Sequence, residues 1–118
     1  MKTLHLSLKK LPFDVMVTGE KTEEFRIDSA WIISRMFNKD GTPKNYDVIK
    51  FTNGYGSDKP YFICNYEGFR QNVACVPAHT YSNGFEFEGM ADNNFIIYLG
   101  LIIETGNLKT TNQIVNSR

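Results

Sequence analysis

Between Gly19 and Arg26 the chain reads GEKTEEFR, placing a glycine, a lysine, a glutamate and an arginine at the spacing G-x-K-x-x-E-x-R. Arginine offers a planar fork of donors and lysine a mobile point charge, a pairing suited to phosphate or to the edge of a base. On a strand, Glu24 and Arg26 share a face with Cα atoms roughly 6–7 Å apart, close enough for an ion pair. Lys21 stands just before them, where its ammonium reaches the same region. The same residues also fit a solvated strand face carrying a weak surface ion pair, worth under ~1 kcal/mol.

Further candidates lie downstream. Asn53 and Tyr55 sit in NGYG, a turn whose tyrosine is either a base-stacking platform or an exposed hairpin residue. On the next strand, alternation sends Asn65 and Glu67 to one face, and Glu67 joins Glu24 as a candidate proton acceptor. His5 falls on the polar side of the first strand and His79 in a loop, so both are read as structural. Trp31 is read as a packing residue, and Phe85 and Phe87 as core. Cys64 and Cys75 show no metal-ligand spacing and are expected to be buried free thiols in a reducing compartment. No metal site is expected, no cofactor is implied, and NGYGS lacks the length and lysine of a phosphate-binding loop.

The elements that must hold these residues are legible in the hydrophobic pattern. Leu4, Leu6 and Leu8 alternate with His5, Ser7 and Lys9, the period of a strand. A short helix over about 12–18 follows, with Pro12 in its first turn, Leu11 and Val15 in its apolar stripe, and Gly19 as its stop. TEEFRID (22–28) alternates as a strand, with Thr22, Glu24 and Arg26 on one face and Glu23, Phe25 and Ile27 on the other. Asp28 or Ser29 caps a second helix from Ala30 to about Phe37. YDVIKFTN and YFICNYEGF are strands, with a bend or bulge at Gly68. Residues 70–94 carry no clear pattern. NNFIIYLGLIIETG is the longest strand, read as core, with a bend at Gly100.

At 118 residues with a 42% apolar and 22% charged composition, the chain is expected to form one α+β domain, residues 1–107. The remaining residues, 108–118, form a polar tail expected to fray. Sixteen aromatic rings favour a strand-rich fold, and the element order suggests a small closed or half-closed β-barrel with two short helices near the N-terminus. Net charge is zero, with nine basic against seven acidic residues before position 51, so an anion site must be local. No run approaches the ~20 apolar residues of a membrane span. Lys9 and Lys10 interrupt the stretch a signal peptide would need, so the expected location is cytoplasmic with no membrane partner.

GEKTEEFR resembles the G-x-K-x-x-E-x-R signature of ASCH domains, small β-barrels of the PUA-like superfamily common as stand-alone domains in bacteria and phages. LHLSLKK, YDVIKFTNGYG, YFICNYEGF and FIIYLGLIIETGN resemble the strands of that family in order, and the resemblance covers residues 3–107. It implies a cleft lined by Lys21, Glu24 and Arg26, with Gly19 making the turn before them, that binds RNA or a nucleoside or nucleotide. Some relatives are hydrolases, either ribonucleases or amidohydrolases acting on acylated cytidine. The deacylating branch has a nucleophilic threonine where this chain has Glu24. Thr22 is not at the matching position, and the neighbouring carboxylates Glu20, Glu23 and Glu24 are expected to raise the Lys21 pKa, where activation needs it lowered. As an enzyme, the chain would rest on Lys21 and Glu24. A third reading is a protein-interaction factor that works through its aromatic loops.

Overall fold

The computed structural model describes residues 1–108. Alternation builds the first strand as read: β1, Thr3–Leu8, buries Leu4 and Leu6 and turns His5 outward. Helix α1, Lys10–Val17, begins two residues earlier than its proline suggests. Pro12 still falls in the first turn, where a missing N–H costs nothing. Phe13, Met16 and Val17 form the core line of α1 at i, i+3 and i+4, whereas Leu11 is 49% exposed. Gly19 ends the turn at φ +86°, a conformation glycine adopts without strain.

β2, Glu23–Ile27, follows directly. Ser29 rather than Asp28 caps α2, Ala30–Met36, its hydroxyl accepting from the Ile32 amide at 3.2 Å. Ile32 and Met36, four apart, bury the inner face of α2. The remaining long strands are β3, Val48–Asn53, β4, Tyr61–Gln71, and β7, Asn94–Gly106. Between them, β5 (His79–Thr80) and β6 (Glu86–Phe87) form a two-residue antiparallel pair.

The five long strands make one mixed sheet in the order β1-β3-β4-β7-β2, curled into a half-barrel. β1 runs parallel to β3, and the other neighbours are antiparallel. The parallel pair needs a crossover, and α1, β2 and α2 supply it. Register shifts along β4 lie between Ile63 and Phe69, and Gly68 at φ +91° sits in that bulged stretch. Gly100 owes its identity to crowding: a Cβ there would meet the Glu67 carboxylate of β4.

The core fills the concave side, with Phe62 against Phe13 and Phe51 at centroid distances of 5.4 and 5.1 Å. Several expectations need correction. Cys64 is buried, but Cys75 is exposed, because it lies in the loop of residues 72–75 that follows the end of β4. Within FIIYLGLII, Phe95, Ile96 and Ile97 are core and Ile102 packs against it, while Leu101 and Ile103 are exposed, since alternation along the strand turns them to the opposite face. The frayed tail proposed for 108–118 lies, from residue 109 on, outside the described residues. No helix among the described residues is long and apolar enough to cross a membrane.

Candidate functional site

Curling of the sheet brings its two edge strands, β1 and β2, near enough for the Arg26 side chain to bridge them, and the GEKTEEFR segment lies at that seam. α1 delivers Gly19; the turn it allows points Lys21 back beneath the helix it has just left. There the ammonium contacts Met16 Sδ at 3.8 Å and stands 4.9 Å from the Phe25 ring centroid. It also donates to the Glu23 backbone oxygen and reaches Glu24 Oε1 at 3.4 Å. Lys21 is only 3% exposed and Glu24 6%. Burial pushes the Lys21 pKa down; Glu24 opposes the shift without cancelling it. The carboxylates expected to raise it are outweighed because the ammonium has left water.

Glu24 spends its second oxygen on Arg26, whose Nε donates to Oε2 at 2.7 Å. The same guanidinium crosses the seam and donates from Nη2 to the Ser7 backbone oxygen on β1, at 3.0 Å. Glu24 thus joins two cations, and with all three groups ionised the cluster carries one more positive than negative charge. The described contacts use two of the five N–H donors of Arg26.

Three of the cavities around the seam touch this cluster differently. One, of about 390 Å³, opens on the α2 side and includes Arg26, Ser7, His5, Trp31, Arg35 and Tyr55 in its lining. A second, of about 370 Å³, runs from Phe25 to Ile27 beside Phe85–Met90, including Glu86 and Glu88. A third, of about 180 Å³, is lined by Lys21, Glu24, Phe25, Phe85 and Phe87 with Leu8 and Pro12. The segment between β5 and β6 covers the Lys21 side. Phe87 stacks on Phe25 at 4.3 Å, the Ser82 amide and hydroxyl both donate to the Glu20 carboxylate, and Asn83 donates to the Leu11 carbonyl.

The residues named from the sequence therefore divide. Lys21, Glu24 and Arg26 come together, and Gly19 makes the turn that allows it. Tyr55 joins them through the α2-side cavity; it is exposed, and its hydroxyl accepts from Ser7 Oγ at 3.2 Å. Asn53 instead closes local structure, donating to the Leu8 carbonyl at 3.1 Å. Glu67 lies exposed over Gly100 on β4 and lines none of the three seam cavities.

Pattern reading missed Trp31, which is not a packing residue. It is 46% exposed, with the Arg35 guanidinium 5.0 Å from its ring centroid. The i, i+4 spacing of Trp31 and Arg35 was the available signal, since such pairs share a helix face. Phe87 is likewise a partly buried wall rather than core. His79 packs edge-on against Tyr81, and His5 lines the α2-side cavity. Among the described residues no group of three or more His, Cys, Asp or Glu side chains is placed to hold a metal ion. No protein-family model matches this chain, and neither a curated protein nor a solved structure does.

Proposed function

We propose that this chain is a PUA-like domain of the ASCH type that binds RNA or a nucleoside or nucleotide in the cleft at the seam. The observation that carries this reading is the Glu24 bridge, which holds Lys21 and Arg26 in one buried cluster beside aromatic-walled cavities. Buried ion pairs rarely add stability over apolar packing, so a three-residue charged cluster calls for another purpose. Its surplus positive charge suits an anionic or electron-rich ligand, and Glu24 fixes both donors before that ligand arrives. The resemblance of GEKTEEFR to the ASCH signature supports the same site. With zero net charge and so local a cluster, the chain fits one nucleotide better than an extended strand.

A hydrolase gains support from one observation, the depressed pKa of Lys21, since a neutral amine is the form that takes a proton. The contacts of its ammonium are a thioether, a backbone oxygen, Glu24 and the Phe25 ring, with no hydroxyl nucleophile among them. That counts against acyl transfer; cleavage of RNA, whose own 2′-hydroxyl is the nucleophile, is an outcome of the test, and binding without turnover is the primary reading. Labelled cellular RNA, incubated with wild-type protein and with Lys21→Met and run on native and denaturing gels, tests it. A salt-sensitive shift without cleavage, weakened at least tenfold in the variant, is expected. Shorter products that need Lys21 would make the protein a nuclease. If neither RNA nor any nucleoside or nucleotide is retained, the proposal fails.

A further inference from the structure

Arg26 borders two cavities, one on each side of the seam, and their charges differ. The cavity beside Phe85–Met90 carries Glu86 and Glu88 in its wall. The cavity on the α2 side is lined by Arg26 and Arg35 with no carboxylate, in a chain whose net charge is zero. An anion entering the first meets repulsion; entering the second, it meets two guanidinium groups. We propose that the α2-side cavity is a mononucleotide site, taking a nucleotide that ends in a phosphomonoester, with the phosphate on Arg26 and Arg35 and the base against Trp31. This rests on the nucleotide-binding reading above and adds the side of the seam, the terminal phosphate and the residues that recognise it.

The geometry suits that ligand. Glu24 and the Ser7 carbonyl hold the Arg26 guanidinium at 2.7 and 3.0 Å, so its plane is set before binding and little rotamer entropy remains to be lost. Trp31 and Arg35 lie one helical turn apart and already stack at 5.0 Å, which keeps the indole face beside a cation. Tyr55 also lines the cavity, its hydroxyl tied to Ser7. His5 and the Ser7 hydroxyl supply polar groups for a sugar or base edge. At about 390 Å³ the space is near the lower end of the ~300–1,000 Å³ typical of small-molecule sites, enough for one nucleotide and too little for a strand.

The chain has one tryptophan, so its emission reports on this cavity alone. Trp31 fluorescence and calorimetric titration would be run with the four nucleosides, their 5′-monophosphates, and a five-residue RNA with and without a 5′-phosphate. Monophosphates are expected to bind at least tenfold more tightly than nucleosides and to change Trp31 emission. Arg35→Gln is expected to reduce that preference to threefold or less, and Trp31→Phe to weaken calorimetric binding of every ligand. Preference for the phosphorylated RNA over free monophosphates would identify an RNA end as the source; the reverse would identify free nucleotides. Equal binding of nucleosides and monophosphates, or full preference retained in Arg35→Gln, overturns this inference and leaves the seam reading in place. Absence of binding by all of these ligands overturns both.

Discussion

The Arg26 guanidinium on β2 donates to the Ser7 carbonyl on β1 at 3.0 Å, a hydrogen bond that joins the two edges of the half-barrel. Strand edges otherwise present unpaired backbone groups, and a side-chain donor across the gap satisfies one of them. Lysine cannot hold Glu24 and Ser7 together with the geometry of a fork. Arg26→Lys is therefore expected to cost about 1–3 kcal/mol and to speed hydrogen exchange at the seam-facing amides of β1 and β2, measured by denaturation and by exchange mass spectrometry. Exchange unchanged at both strands would show that Arg26 does not hold the seam.

Removing Glu24 and removing Lys21 should have very different effects. Glu24→Ala leaves a buried ammonium and a half-buried guanidinium side by side with no counter-charge, a loss of about 3–5 kcal/mol. Lys21→Met removes a cation that pays for its desolvation, keeps the Glu24–Arg26 pair, and is expected to cost about 1 kcal/mol or less. Urea denaturation of the two variants compares them directly. Equal losses would mean that Glu24 does not organise the cluster.

The segment between β5 and β6 is tied to the signature through Glu20 and Ser82, and that tie is acid-sensitive. The Ser82 hydroxyl and amide hold the Glu20 pKa below its usual 4.5, so the unfolded chain binds this proton more readily than the folded one. The contribution is present above about pH 4.5 and is lost as the pH falls through the lower, folded value. Amides of residues 79–87 should exchange faster, relative to the rest of the sheet, as pH drops through that window. Glu20→Gln should flatten the dependence; an identical pH profile in the variant would rule out the tie.

How much of this was legible in the sequence depends on the range of the contacts involved. The alternation of Leu4 and Leu6, the stop at Gly19 and the clustering of GEKTEEFR follow from local spacing, and the structure has all three. The places where the reading went wrong depend on distant partners. Trp31 is left half-exposed because α2 buries only Ile32 and Met36, a choice of helix face that local pattern does not fix. Phe87 became a wall because Phe25, over sixty residues away, stacks on it. The direction of the Lys21 pKa shift turned on burial, whereas its sequence neighbours suggested charge. Arg35, on α2, shares a cavity with Arg26 only because the fold brings α2 beside β2, a placement no local spacing encodes.

The two thiols should separate by reactivity. Cys64 is buried, and burial raises its pKa to about 12, whereas Cys75 is exposed. Only the thiolate reacts. With an aromatic disulfide reagent at pH 8, one thiol per chain is expected to react quickly, and Cys75→Ser should abolish that fast phase. The second should react only after denaturant is added. Two fast thiols in native protein would contradict the burial of Cys64.

The most direct test of ligand binding at the seam is an amide and indole chemical-shift map of labelled protein, taken with a mixture of the four nucleoside 5′-monophosphates. Binding at the seam predicts that the largest shifts fall on Leu6–Leu8, Glu24–Arg26 and the Trp31 indole, and that Lys21→Met reduces them. Shifts confined to the exposed end of β7 around Leu101 and Ile103, or no shifts at millimolar ligand, would contradict it.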